Sequence, residues 1–329
     1  MDAWQVQRHA PPGDALRRVF VDEPVPGPGE LRLRVRAAGI GLPDALMCRG
    51  SYAFSPELPF VPGQEVCGTV DAVGSGVEIP LGSRLMAVTN FFDGHGGFAE
   101  TTIARSDSAF RVPETMRDEE AAAFRIGYST AYIGLVRRGV LQPGEWLLVL
   151  GAAGGSGLAA VQLGSALGAR VVAVVAGDAK RELCARVGAD VVVDRTQQSV
   201  PEAVMEATGG GGADVVYDPV GGAFAGSTAK CLASGGRLLA IGFASGKWVE
   251  ADISEFVLRN ASIMGVYAGG QTRAEAEADH ELLLALAADG SLGRATQAVS
   301  FAALPDALSA VDRAEAVGKL VLHVDEGHT

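Results

Sequence analysis

The feature that most constrains this chain is the run Gly151-Ala152-Ala153-Gly154-Gly155-Ser156-Gly157. It lies between a short apolar run at 147–150 and a helix-like segment in which Val161, Leu163 and Leu167 alternate with small residues. A brief continuous apolar run is what a strand buried on both faces looks like. Residues lacking side chains let a backbone approach a pyrophosphate, and a helix N-terminus adds unpaired N–H groups and partial positive charge. The run departs from the Gly-x-Gly-x-x-Gly pattern at Ala152, while Gly154 and Gly157 fill the other two places. A glycine loop alone also serves as a tight strand–helix connection. A strand, loop, helix and second β-branched run at 170–176 together point to dinucleotide binding.

The alternation continues. Strands are expected at 191–193, 214–217, 237–241 and 262–266, with helix-like stretches such as 178–187 between them. Gly168 is a natural helix stop. Strands that alternate with helices imply a parallel, doubly wound sheet. The last third adds helices at 275–288 and near 305–313, and a strand at 319–324.

The first third has another texture. After the turn signal Pro26-Gly27-Pro28-Gly29, Leu31, Leu33, Val35 and Ala37 alternate with Arg32, Arg34 and Arg36, the period of a strand with one buried face. The arginine row reads as a solvated strand face, with an anion-binding stripe as the alternative. Further short runs at 68–73 and 84–89, separated by glycine-rich turns, make a compact β domain. Thr115-Met116-Arg117-Asp118 fits a capping box, and alanine-rich segments follow to about residue 136. The domain boundary is placed here, and 329 residues suit two domains.

A formal net charge of −12 and a pI of about 4.9 argue against a broad basic nucleic-acid surface. No stretch approaches the roughly 18 apolar residues of a membrane span, and residues 1–14 carry no signal-type apolar core. A cytoplasmic location is expected. Cys48, Cys67, Cys184 and Cys231 are scattered without a Cys-x-x-Cys pair, so reduced, buried thiols are expected. Five dispersed histidines form no metal pattern, and no Ser-His-Asp set or paired carboxylates stand out.

The second strand of the dinucleotide unit ends Val174-Val175-Ala176-Gly177, with no acid at its tip to hold ribose hydroxyls as in NAD sites. Asp178 is read as the cap of the next helix. Lys180 and Arg181 follow, and Arg195 lies after the third strand. Cations here can pair with the extra phosphate of NADP, so NADPH is expected over NADH. The alternative is that they are ordinary solvated charges, the reading preferred for Arg181.

These residues resemble the zinc-free medium-chain dehydrogenases/reductases, and among them the NADPH:quinone oxidoreductases, through nearly the whole chain. The glycine loop resembles that family's Gly-Ala-Ala-Gly-Gly-Val-Gly with Ser156 for valine. Phe60-Val61-Pro62-Gly63-Gln64-Glu65, Tyr217-Asp218-Pro219-Val220-Gly221-Gly222, Gly235-Gly236-Arg237-Leu238, Ile241-Gly242-Phe243-Ala244-Ser245-Gly246 and Gly318-Lys319-Leu320-Val321-Leu322 resemble other family segments. The resemblance implies an α/β fold: a GroES-like β domain from 1–120, completed by 266–329, with a Rossmann doubly wound parallel-sheet domain at 121–265. It also implies a homodimer formed through Rossmann edge strands.

Zinc-dependent relatives place a cysteine near Gly41 and a histidine where Gln64 stands, and they carry a cysteine-rich lobe that residues 91–107 lack; no metal is expected. The lone His95 is read as a solvated loop residue. The resemblance assigns Ala153, Gly154, Gly155, Ser156 and Gly157 to the pyrophosphate. Lys180 matches a lysine that meets the extra phosphate, and Arg195 stands where relatives carry a tyrosine with the same task. Ala176 and Gly177 replace serines that often help. Thr130 matches a helix threonine near the nicotinamide, or else bonds its own backbone. Gly242, Phe243, Val266 and Tyr267 match loops flanking the nicotinamide. Tyr52 matches an active-site tyrosine, either a proton donor or a packing residue of the acceptor pocket wall. Gly41 replaces a common asparagine and suggests a roomier pocket; with Tyr52 and Tyr267 it forms the expected substrate-binding set. The function implied is NADPH-dependent reduction of quinones or related conjugated carbonyls by direct hydride transfer. A second reading is an enoyl or 2-enal double-bond reductase, and a third, from another class, is a nucleotide-regulated RNA-binding or structural protein. The expected partner is a small conjugated acceptor, with neither nucleic acid nor membrane.

Overall fold

The computed structural model describes residues 1–293 and 295–324. In chain order its strands are β1 (Asp2–Val6), β2 (Leu16–Phe20), β3 (Glu30–Gly39), β4 (Glu65–Val73), β5 (Arg84–Thr89), β6 (Thr101–Arg111), β7 (Trp146–Val149), β8 (Arg170–Val175), β9 (Val191–Asp194), β10 (Ala213–Asp218), β11 (Leu232–Ala240), β12 (Ser262–Gly265), β13 (Thr296–Ser300) and β14 (Lys319–His323). Two compact units result: residues 1–126 with 296–329, and residues 127–295.

The first unit holds a sheet of order β13-β14-β3-β4-β5-β6, in which β3 also pairs with β6 and so closes β3 to β6 on themselves. Leu31, Leu33 and Val35 of β3 point into the core beside Ile40, Phe60, Val66 and Phe98. The intervening arginines are paired rather than simply solvated. Arg32 Nε donates to Asp71 at 2.8 Å and its Nη1 lies 3.0 Å from Glu23, while Arg34 reaches Asp71 and Arg36 reaches Asp118. Near residue 115 the expected capping box is displaced by two residues. The helix is Asp118–Ala122, and Glu120 accepts the N–H of Arg117. Asp118 is taken instead by Arg84, whose guanidinium also donates to the carbonyls of Pro113 and Met116.

The second unit is a parallel sheet of order β12-β11-β10-β7-β8-β9. Each residue of β7 is buried, as a strand covered by helices on both faces requires. Leu148, Val172, Val174, Val216 and Leu238 form the centre of its core. From β7 the chain first runs to β8 and β9, then crosses back to β10 on the other side of β7. The topological switch point, where open α/β sheets bind ligands, therefore lies between β7 and β10.

The compact units break at other places than the sequence suggested. Residues 121–126 stay with the first unit, where Ile126 N–H donates to Glu65 Oε2 at 3.0 Å. Residues 266–295 stay with the second, because the helix Arg273–Ala288 buries Asp279, whose carboxylate Arg137 holds at 2.7 Å. Only 296–324 of the described tail returns to the first sheet. No helix among the described residues is long and apolar enough to cross a membrane. All four cysteines are free and buried; burial pushes the thiols of Cys48, Cys184 and Cys231 up to about 12.

Candidate functional site

The loop after β7 turns through Gly151, whose φ of +56° is open to glycine at little cost. Ala152 is tolerated where the fingerprint has glycine because it is buried and its N–H donates to Val174 O at 3.1 Å, tying the loop to β8. Gly154 caps the helix Gly155–Ala166. The tightest position is Gly157. A Cβ there would meet Gly151 O at 2.4 Å and Ala152 Cα at 2.8 Å. The loop therefore folds back on the first turn of the helix with no room for a side chain. Gly151 and Gly154 face solvent, and Gly155 and Ser156 are half-buried. The N–H groups of this first turn have no partners within a helix, so the cradle suits a pyrophosphate. Ser156 turns its hydroxyl inward, 2.8 Å from the hydroxyl of Tyr217, the last-but-one residue of β10. Tyr217 is fully buried, and desolvation drives its phenol well above the ordinary tyrosine range.

Beside the loop, Gly177 rather than Asp178 caps the helix Asp178–Arg186, in a left-handed conformation of φ +92°. Asp178 occupies its first turn and pairs with Arg181 at 3.1 Å. The acid that shapes this corner is Asp194, at the end of β9. Its carboxylate accepts from the Thr196 hydroxyl at 2.7 Å, the Thr196 N–H at 2.9 Å and Gly177 N–H at 3.2 Å. Those bonds, the Thr196 hydroxyl first, hold it below the usual aspartate range. Sequence alone does not single it out, because the ribose-binding acid of NAD sites is expected at the tip of β8 and not at that of β9. Lys180 is half-buried in the first turn of the Asp178–Arg186 helix. Arg195 is exposed, with its guanidinium 5.8 Å from the Phe224 ring centroid.

Across the switch point, Asp218 ends β10 fully buried. Oδ1 accepts the N–H groups of Val220 and Gly221, each at 2.8 Å, whereas Oδ2 has no hydrogen-bond partner. Desolvation raises its pKa. Gly242 packs on Pro219, where a Cβ would meet the carbonyl oxygen at 3.1 Å. Phe243 rests on Trp248 with ring centroids 4.9 Å apart. Val266 N–H donates to Ala240 O, and Tyr267 is 68 % exposed over Gly269. The loop 153–157 with Lys180, Arg195, Gly242, Phe243, Val266 and Tyr267 thus follows the C-terminal ends of five of the six parallel strands, β7, β8, β9, β11 and β12. Thr130 is half-buried on the helix Arg125–Tyr132, which continues as a π-helix over Ile133–Arg138 and packs on the glycine-loop helix at Gly127, where a Cβ would stand 3.5 Å from Gly155 O.

Tyr52 and Gly41 belong to the first unit. The Tyr52 ring meets Phe54 edge-on at 5.7 Å, and Phe54 meets Phe92 at 5.8 Å. Gly41 precedes the helix Leu42–Arg49 and sits above a buried ionic cluster. Asp44 accepts the N–H groups of Gly41 at 2.9 Å and Gly63 at 3.1 Å. Lys319 Nζ lies 2.7 Å from Glu65 Oε1, an ion pair without the angle of a good hydrogen bond. His95, by contrast, is exposed. Among the described residues no group of three or more His, Cys, Asp or Glu is arranged to hold a metal ion. Asp44 and Lys319 carried no role in the sequence reading. A signal was present for Asp44: an acid three residues after a glycine at a helix start closes on the N-cap N–H.

Desolvation raises the Asp44 carboxyl to about 7, against the opposing pull of Gly41, Lys319 and Gly63. The folded protein then holds this proton more tightly than the unfolded chain. The associated stability is complete below the ordinary aspartate range and is lost as pH rises through about 7. Between pH 5 and pH 8 the native protein is expected to lose on the order of 2 kcal/mol more unfolding free energy than Asp44→Asn. Urea titrations at the two pH values check this; parallel losses would refute it.

Comparison with known proteins agrees with this architecture. Residues 27–114 match the alcohol dehydrogenase GroES-like domain, and residues 155–285 match the family described as zinc-binding dehydrogenase. Quinone oxidoreductase-like protein 2 of Mus musculus is 34% identical over 276 residues, covering 81% of this chain and 78% of the relative. A mycobacterial protein complexed with NADPH superposes with a TM-score of 0.90 at 30% identity, over 98% of this chain and 100% of that one. Escherichia coli quinone oxidoreductase complexed with NADPH gives 0.89 at 26% identity, over the same shares. The GroES-like sheet, the glycine-looped parallel sheet and this extent of identity have one explanation: the chain belongs to the quinone oxidoreductase family of the medium-chain dehydrogenases/reductases.

Proposed function

We propose that this NADPH-dependent oxidoreductase reduces quinones and related electron-poor conjugated carbonyls by direct hydride transfer, without zinc. The observation that carries the reading is the glycine cradle at the switch point, closed so tightly at Gly157 that no side chain fits between it and the backbone of Gly151 and Ala152. NADPH, when bound, supplies the hydride. The first turn of the Gly155–Ala166 helix would hold its pyrophosphate, and Lys180 and Arg195 its extra phosphate. Asp194 fixes the Gly177 corner beside them. Gly242, Phe243, Val266, Tyr267 and Thr130 would flank the nicotinamide and keep water away. Tyr52 would donate a proton to the acceptor's oxygen.

The test is NADPH oxidation by the purified protein against quinones, 2-enals and enoyl thioesters, each repeated with NADH. Fast quinone turnover with NADPH is expected. Turnover of an enal or thioester alone would move the function to double-bond reduction. In Tyr52→Phe, turnover is expected to fall about 100-fold; unchanged turnover would leave Tyr52 a packing residue.

A homodimer is proposed on the second unit. Strand β12 is the sheet's edge, and Ile263 within it is 39 % exposed. On the neighbouring helix Ile253–Arg259, Val257 and Leu258 are 69 % and 78 % exposed. Such an apolar edge is a ready pairing surface. Val257→Glu with Leu258→Glu is expected to give a monomer in sedimentation velocity; an unchanged mass would place any interface elsewhere.

A further inference from the structure

We propose that Lys319 is a catalytic residue: its ammonium donates a hydrogen bond to the acceptor's oxygen through the opening left by the missing side chain of Gly41. This rests on the reductase reading above and adds the group that stabilises the developing negative charge.

The geometry is local to the first unit. Lys319 begins β14 and its side chain is 15 % exposed. Its one ion-pair partner among the described residues is Glu65 Oε1, so an ammonium with three donors has capacity left. Glu65 is otherwise occupied, since Oε2 accepts Ile126 N–H. Asp44 spends its oxygens on Gly41 and Gly63. The ammonium borders the position above Gly41, where a Cβ would stand 3.9 Å from Nζ, 3.5 Å from Asp44 Oδ2 and 3.3 Å from Pro43 Cδ. Gly41 is half-exposed. With no side chain there, an oxygen resting on Gly41 has access to a cation paired with the buried carboxylate of Glu65. A half-buried ammonium with unspent donors is a preorganised site for charge that appears only as the reaction proceeds.

The electron balance is simple. As hydride adds to the acceptor, the π pair shifts to its oxygen and leaves an oxyanion. Lys319 hydrogen-bonds that oxyanion without giving up its own proton. The proton that completes the hydroquinone or enol comes from Tyr52, which is reprotonated from water. An acceptor with a carbonyl oxygen conjugated to the reducible bond fits this scheme, and a simple alkene without one does not.

The experiment uses 9,10-phenanthrenequinone as acceptor and NADPH fluorescence to measure cofactor binding. In Lys319→Met, kcat/KM is expected to fall about 100-fold with the NADPH Kd within about twofold. Lys319→Arg should recover part of the rate. Since Lys319→Met strands Glu65, the double variant Glu65→Gln/Lys319→Met controls for folding; it should regain thermal stability and remain as slow. Gly41→Asn, which leaves the ion pair intact, should raise the quinone KM about tenfold by covering the ammonium. If the folded double variant turns over at the wild-type rate, or Gly41→Asn leaves the quinone KM unchanged, Lys319 is structural and the inference is overturned while the reductase reading stands. If the wild type reduces only enals, the same series is run on 2-hexenal, with the same outcomes. A wild type inactive with every acceptor and NADPH would overturn the reductase reading, and this inference with it.

Discussion

Gly157→Val is expected to weaken NADPH binding about 100-fold, the loss of roughly 3 kcal/mol in hydrogen bonds to the charged phosphates. Even the first carbon of the new side chain would fall 2.4 Å from Gly151 O and 2.8 Å from Ala152 Cα. Both contacts are to backbone, which cannot rotate away as a flexible side chain would. Either the loop lifts from the helix or the first turn unwinds, and each outcome disperses the N–H groups proposed to meet the phosphates. Most of the unit would survive, because Leu148, Val172 and Val216 pack beneath the loop independently of it. The measurement is a fluorescence titration with NADPH beside a urea unfolding curve. A folded variant that binds NADPH like the wild type would show that the loop does not hold the cofactor.

Glu65→Ala is expected to destabilise the protein by about 3–5 kcal/mol, the usual result of removing one partner from a buried ion pair. Glu65 is 2 % exposed and serves two elements far apart in the chain, the N–H of Ile126 and the ammonium of Lys319. Truncation leaves both without their acceptor, in a place where water does not readily replace it. Glu65→Gln should cost less, since an amide oxygen can still accept from Ile126. Urea unfolding of the two variants checks the order; equal stability of Glu65→Ala and wild type would show that the pair contributes nothing net.

The fold was legible wherever one local pattern decided the structure. The alternation of Leu31, Leu33 and Val35 with arginines gave β3, and the short apolar runs around the glycine loop gave a parallel sheet with its switch point, because burial on one face or on both leaves a distinct residue period. What stayed hidden depends on contacts between distant residues. The cap at Gly177 and the anchoring by Asp194 need β8 and β9 side by side. Asp118 looked like a helix cap, but Arg84 from β5 takes its carboxylate. Tyr217 and Ser156 are 61 residues apart, and nothing near either one announces the other. Lys319 read as part of a terminal strand motif, and its pairing with Glu65 and its place beneath Gly41 emerge only once β14 lies against β3. The unit boundaries shifted for the same reason: the helix Arg273–Ala288 is assigned by the Arg137–Asp279 pair, which no periodicity reveals.

The return of β14 to β3, pairing Val321 with Gly39, has a consequence for biosynthesis. A ribosome completes residues 127–295, a continuous unit, before it has made the strand that finishes the first sheet. The parallel sheet can therefore form while β3 still has an unpaired edge. Closing the β unit then means joining segments separated by nearly the whole length of the chain, a slow kind of contact to form. The ammonium of Lys319 reaches Glu65 only in that last step, so a nascent chain would present the parallel sheet before the buried ion pair of the first unit exists.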